Sequence, residues 1–355
     1  MKINKLLLTA LAGSLFFVSC NNDDDSNAPA GAYDNGVIVL NQGGFGVGNA
    51  SVSFISNAMS LQNDIFATNN PGHILGDTGQ DIGFNGDLAY VVLNASNKIE
   101  VVNRYSFLHV ATIEGNLSNP RYIAFKNNKA YVTNWGDAGI PTDDYVAVID
   151  LATNAVTSSI PVVEGPERIL EHNGKLYVSH YGGYNTGESV TVIDIASGSK
   201  TSIATGDGPR SMVIENNVLY VLSEGLQTWG MGVDTPGKLQ TVNLSNNMVT
   251  STLNFSADAH PSNLVEEDGK LYYTIGSGIY AMNLNAASLP TSPIFSHTAQ
   301  GVYGIYSFEV EDDQIFVGDA GDYSSNGKVF IYNPAGQKLE EFTVGVIPAG
   351  IYFND

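Results

Sequence analysis

The stretch PRYIAFKNNKAYVTN (residues 120–134), followed after a loop by YVAVIDLATNAVTSSIPV (145–162), decides how this chain folds. Apolar residues alternate with other residues within each run, the period of two that places every second side chain on one face of a strand. Asn127-Asn128 divides the first run and Thr153-Asn154 the second, and Asn is a residue that tolerates the left-handed backbone of a tight turn. The unit reads as a four-stranded antiparallel meander.

The unit recurs. PERILEHNGKLYVSH (166–180) with VTVIDIASGSKTSIAT (190–205) is the next copy, and GPRSMVIENN (208–217) opens another. The spacing is roughly 40 to 50 residues, the range of propeller blades. Counted by the strand that carries "YV", there are seven copies, near Val37, Tyr90, Tyr131, Tyr177, Tyr220, Tyr272 and Phe316. The first copy, NGVIVLNQGGFG (35–46), has no "P-x-x-I" strand before it, whereas IPAGIYFND (347–355) has such a strand and nothing after it. The two orphans complement each other: the last strand completes the first blade and closes the ring, leaving no open sheet edge between the chain's ends. The expectation is an all-β, seven-bladed propeller of four-stranded blades, with six or eight blades as the alternatives. No stretch beyond the N-terminal leader sustains a helical period.

Composition narrows the partners. Of 355 residues, 36 are acidic and 15 are Lys or Arg, a formal net charge of -21 that repels phosphate backbones and anionic headgroups. Nucleic-acid binding is thereby excluded as an expectation. The N-terminus, MKINKLLLTALAGSLFFVSC, combines Lys2 and Lys5 with an apolar run from Leu6 to Val18, the pattern of a signal peptide over residues 1–19. Cys20 is the single cysteine, so no intramolecular disulfide can form. FVSC resembles a bacterial lipobox, which implies lipidation of Cys20. The acidic tether over residues 20–33 opens on CNNDDD, which resembles the surface-export signal of Bacteroidetes lipoproteins. The propeller is expected over 34–355, lipid-anchored at the cell surface of the outer membrane and touching membrane only through the anchor.

YVTN at 131–134 is the tetrapeptide of the YVTN-repeat, or YncE-like, propellers, which this chain resembles over nearly its whole length beyond the leader. With the lipobox, the NNDDD tether, seven blades and loops such as NWGDAG and HYGGYN, it looks like the cobalamin-capturing (BtuG-like) surface lipoproteins of that group. That resemblance implies a corrinoid ligand and a TonB-dependent outer-membrane transporter as partner.

The loops after "YV" strands and the connections before "P-x-x-I" strands share one face. NWGDAGIPTDDY, HYGGYNTGES, SEGLQTWGMGVDTPGK and DAGDYSSNGK are longer than turns require, which is where a rigid scaffold carries binding residues. They hold Trp135, Trp229, Tyr181, Tyr184 and Tyr323, and the first blade adds Phe45. These aromatics suit a broad, partly apolar ligand, or wedge between blades. Arg121, Arg168 and Arg210 follow the prolines that enter three consecutive blades; they are expected to pair with Glu164, Glu167 or Asp207, or to bind ligand amides or a phosphate. Asp137, His180 and Asp319 complete the candidate set. DAGDYSSNG (319–327) lacks the full ligand series of a calcium loop and leaves a bound Ca²⁺ open.

No metal-ligand or nucleophile motif stands out, and the inner strands YIAF, RILE, SMVI and NLVE read as apolar. A binding protein is therefore expected rather than an enzyme. Glycan or protein binding by the same face is the alternative, and a lactonase- or lyase-type propeller the third reading.

Overall fold

Seven antiparallel sheets of four strands each are arranged as blades around one axis. The computed structural model describes residues 30–137 and 139–354. The signal peptide, Cys20 and the tether as far as residue 29 lie outside the described residues. Tyr33, assigned to the end of the tether from sequence, is buried and packs edge-on against Phe54 and Phe107, so the packed domain begins slightly earlier than expected.

Blade 1 joins the two ends of the chain. Its innermost strand is Pro348–Phe353, hydrogen-bonded to Gly36–Asn41, and Ser51–Ser56 and Leu61–Gln62 follow outward. The expected closure is thus observed. The other innermost strands are Gly79–Asn85, Pro120–Lys126, Pro166–His172, Pro209–Glu215, Ser262–Glu267 and Ser307–Glu311, for blades 2 to 7.

Each second strand is buried on both faces, because each blade is sandwiched between two others. Tyr131 packs toward blade 4, whereas Val132 packs toward blade 2, and the equivalent residues of other blades behave alike. The apolar core accordingly divides into seven clusters, one per gap between neighbouring blades, and the cluster between blades 7 and 1 joins Phe316 and Val329 to Val39 and Ile351. At roughly 25 cal/mol per Å² of apolar surface removed from water, these layers are the main stabilising term. Outermost strands such as Ala155–Pro161 meet solvent, which is why their sequences are polar.

The fourth strand is reduced to two residues in blade 1 and in blade 6 (Phe295–Ser296). A single helical turn, Ile65–Asn69, sits between blades 1 and 2 with Ile65 and Phe66 buried. Five residues are too few for a 3.6-residue period to register in the sequence. Among the described residues no helix is long and apolar enough to cross a membrane.

Candidate functional site

The innermost strands are not regular at the end where they enter the ring. In six of the seven, pairing with the second strand slips close to the entry residue, as between Pro120 and Ile123, Pro166 and Ile169, and Pro209 and Ser211. A bulge of this kind leaves extra residues unpaired and re-aims their side chains. Here the residues freed are Arg121 and Tyr122, Glu167 and Arg168, and Arg210, and they line a central cavity of about 640 Å³. The expectation of apolar inner strands fails at this end. The channel mouth is polar, because the bulges turn outwardly unremarkable P-R-Y and P-E-R tripeptides toward the axis.

The chain has four arginines, and three of them are in this cavity. Each lies over an aromatic ring. The guanidinium carbon of Arg121 is 4.3 Å from the centre of Trp135, that of Arg168 4.1 Å from Tyr122, and that of Arg210 5.3 Å from Tyr181. Such stacking holds a flexible cation in place. Arg121 also grips Glu167 of the next blade through two hydrogen bonds, Nε to Oε2 at 2.9 Å and Nη2 to Oε1 at 2.7 Å. Arg210 reaches Glu224 at 3.3 Å. The expected pairing of these arginines with local carboxylates holds for Arg121 with Glu167; Arg210 uses Glu224 instead. Arg168 makes no ion pair among the described residues.

Glu309 and Tyr352 also line the cavity, and Tyr352 joins it to the buried Asp81, a polar set that the sequence reading missed. Asp81 accepts hydrogen bonds from the Ile123 backbone N–H at 3.0 Å and the Tyr352 hydroxyl at 3.1 Å, linking blades 2, 3 and 1. Burial pushes its carboxyl above the ordinary range, against the field of Arg168 and these hydrogen bonds. Burial also pushes Glu309 up, to about 8, with Arg168 pulling the other way. Arg168 and Arg210 keep open surface, yet protein surrounds both, so what is open faces the channel. Tyr352 belongs to the C-terminal IPAGIYFND, whose role in closure was legible while its channel role was not.

Around the channel mouth stands a rim of exposed apolar side chains. Blade 5 contributes Trp229, Met231 and Val233, with 79, 90 and 85% of their surface exposed. Blade 4 adds Tyr184 at 83%, the connection into blade 7 adds Tyr303 at 81%, and blade 1 adds Phe45 at 79%. Ile74, Ile140, Val163 and Tyr323 continue the series on the same face. Soluble surfaces rarely gather so much apolar area on one side without a binding role.

The other nominated residues separate from these. Trp135 is half-buried: its indole Nε1–H donates to the Pro166 carbonyl at 3.1 Å, a wedge between blades 3 and 4 that also floors Arg121. His180 does not face the mouth. It is buried, its Nε2 meets Thr191 Oγ1 at 2.8 Å and its Nδ1 the Glu164 carbonyl at 3.2 Å, and burial lowers its pKa to about 4, leaving it neutral. Asp319 is also buried, accepting from the backbone N–H groups of Tyr303 and Gly321 at 2.8 and 2.9 Å. These two tie loops down. Asp137 is exposed and accepts from the Gly139 N–H at 3.0 Å. Tyr323 meets Tyr306 edge-on, and Tyr306 donates to Gln42 across the gap between blades 7 and 1. In the DAGDYSSNG loop the Asp322 carboxylate accepts the Ser324 and Ser325 N–H groups, which hold its pKa well below the usual value. Among the described residues no group of three or more His, Cys, Asp or Glu is arranged to hold a metal ion.

The family described as Domain of unknown function (DUF5074) matches residues 35–353, the whole ring but its outermost residues. The chain belongs to the DUF5074 family. No functionally curated protein matches its sequence. Among solved structures, this DUF5074 propeller is similar to a quinonprotein alcohol dehydrogenase-like protein from Bacteroides thetaiotaomicron, with 14% identity, TM-score 0.69, and coverage of 91% of this chain and 79% of that one. It is also similar to the dihydro-heme d1 dehydrogenase NirN, solved in complex with DHE, at 12% identity and TM-score 0.55, covering 91% and 76%. Apo AztD from Citrobacter koseri, at 10% identity and TM-score 0.52, covers 89% and 96%. At such identities the likeness is one of fold, and propellers host many unrelated activities.

Proposed function

We propose that this protein is a cell-surface lipoprotein that captures a corrinoid of the vitamin B12 class on the loop-bearing face of its propeller and passes it to a TonB-dependent outer-membrane transporter. The observation that carries the reading is the rim: exposed aromatic and aliphatic side chains concentrated on one face, around a polar channel, on a scaffold closed at every blade gap. A corrin is broad, flat and rimmed with amides. Its faces suit Trp229, Tyr184 and Tyr303, and its amides suit the arginines, tyrosines and Gln42 within the mouth. The lipobox-like FVSC and the acidic tether support the surface location, and Cys20→Ala is expected to leave the protein soluble or mislocalised, absent from the cell surface.

The test is titration of cyanocobalamin into the mature protein. Its absorbing ring should quench Trp229 fluorescence, and Trp229→Ala should weaken binding by roughly thirty-fold, the effect of losing an aromatic anchor worth about 2 kcal/mol. No binding of cyanocobalamin, with binding of a polysaccharide instead, would transfer the rim to glycan recognition.

A further inference from the structure

We propose that Arg168 is an oxyanion-binding residue at the throat of the channel, placed to take a carboxylate or phosphate group of a ligand that enters from the mouth. The three channel arginines are not equivalent. Arg121 has its fork filled by Glu167, and Arg210 has Glu224. Arg168 rests on the Tyr122 ring, and among the described residues its guanidinium donates no hydrogen bond and lies within 4.0 Å of no carboxylate oxygen. Asp81 and Glu309 act on it only through space.

Neither carboxyl group is well suited to fill the fork. Asp81 already accepts from Ile123 and Tyr352, the latter held in turn by accepting the Ile82 N–H at 3.0 Å. Glu309, pushed up to about 8, is mainly a neutral acid at pH 7, a hydrogen-bond donor toward the channel rather than a competing anion. A planar cation with five N–H donors, next to a carboxylic acid proton, is chemistry that matches two oxygens of one acid group. Position adds to the argument. In a chain of net charge -21, three of four arginines and none of the lysines line this one cavity. A fully solvated lysine would satisfy any need for bulk charge; a fork fixed over a ring serves directional recognition.

The inference uses the mouth as the ligand face but does not depend on a corrinoid. The experiment is calorimetric titration of inorganic phosphate, and separately of acetate, into the mature protein, with Arg168→Gln, Glu309→Gln and Arg104→Gln variants checked for folding by thermal melting. Arg104 stacks on Phe84 and lies outside the cavity. The expected result is saturable binding of at least one ion, weakened about tenfold or more by Arg168→Gln, since a charge-assisted hydrogen bond is lost. Glu309→Gln should retain binding, because the amide still donates, and Arg104→Gln should leave it unchanged. Phosphate without acetate assigns the site to phosphate groups, and both ions assign it to oxyanions in general. Absence of saturable binding by the wild type, or affinity unchanged in Arg168→Gln, overturns the proposal. Binding of neither ion while cyanocobalamin still binds would remove this inference alone; binding of either ion without cyanocobalamin would remove only the corrinoid reading.

Discussion

The strands of this propeller end differently on its two faces. Away from the mouth, first and second strands are joined by tight turns: Asn173-Gly174, Asn216-Asn217, Asp268-Gly269 and Asp312-Asp313 all have positive φ at both positions. Asn, Asp and Gly adopt that conformation with little strain, and its twist matches that of the flanking strands. At the mouth six of the seven inner strands begin with bulges, and several of the polar side chains there are held from other blades. Arg121 of blade 3 is held by Glu167 of blade 4, and Asp81 of blade 2 by Tyr352 of blade 1. The turn face also links neighbouring blades, Lys126 to Glu171 and His172 to Asn217, but the three arginines that line the cavity belong to the mouth.

The largest expected effect follows from the strand that spans both faces and closes the ring. Deleting residues 348–355 removes the partner of Gly36–Asn41, leaves that strand as an unpaired sheet edge, and takes Ile351 out of the apolar cluster between blades 7 and 1. Several kcal/mol of stability should be lost, a large share of a domain's net stability, visible as a collapsed or absent thermal transition. A truncated chain melting at the wild-type temperature would contradict the strand order.

A cross-ring contact should matter more than a peripheral one. Glu167→Ala strands Arg121 in the channel wall and should lower unfolding free energy by about 3–5 kcal/mol in denaturant titration. Glu341→Ala, on the outer strand, removes surface pairs with Lys328 and Lys338 and should cost less than about 1 kcal/mol. Equal effects would erase the distinction between the two regions.

Glu309 tests the channel through pH. Its folded pKa, about 8, is raised above the ordinary carboxylate value, so the folded state holds a proton that the unfolded state releases. Stability from this group is intact below about pH 4.5 and falls as pH rises toward 8. Glu309→Gln should therefore melt like wild type at pH 5 and several degrees higher at pH 9. His180 acts in the opposite sense: with its pKa lowered to about 4, it contributes stability above pH 6.5 that is lost as pH falls toward 4. His180→Gln should flatten the melting curve's pH dependence in that range.

At the turn face the effect should be smallest and purely local. Asn127, at a φ of 55°, becomes strained as Ala, and Asn127→Ala should lower stability by about 1 kcal/mol while leaving ligand affinity unchanged. A loss of binding there would mean that the two faces are coupled.

Residue by residue, legibility followed the same divide. The seven "YV" strands were readable because burial on both faces forces apolar residues at adjacent positions, and the turns because positive φ selects Asn, Asp and Gly. The orphaned IPAGIYFND and NGVIVLNQGGFG announced closure because an unpaired strand in a closed ring needs its complement. The inner strands misled because alternation presumes an unbroken register, and the bulges after Pro120, Pro166 and Pro209 break it. His180 and Asp319 sit beside mouth loops in sequence yet turn into the blade, where Thr191, the Glu164 carbonyl and loop amides wait. Trp135 and Trp229 occupy matching loops, but one wedges under a neighbouring blade and the other stands in solvent.

Blade number, ring closure and the face that carries long loops were determined by the sequence alone, because each depends on interactions within one repeat or on one missing strand. What fills the channel was decided only by the tertiary structure. The groups that set the charge and protonation of Arg168, Asp81 and Glu309 come from blades 1, 2, 3, 4 and 7, and their electrostatic and hydrogen-bond coupling exists only once the ring has brought those blades together.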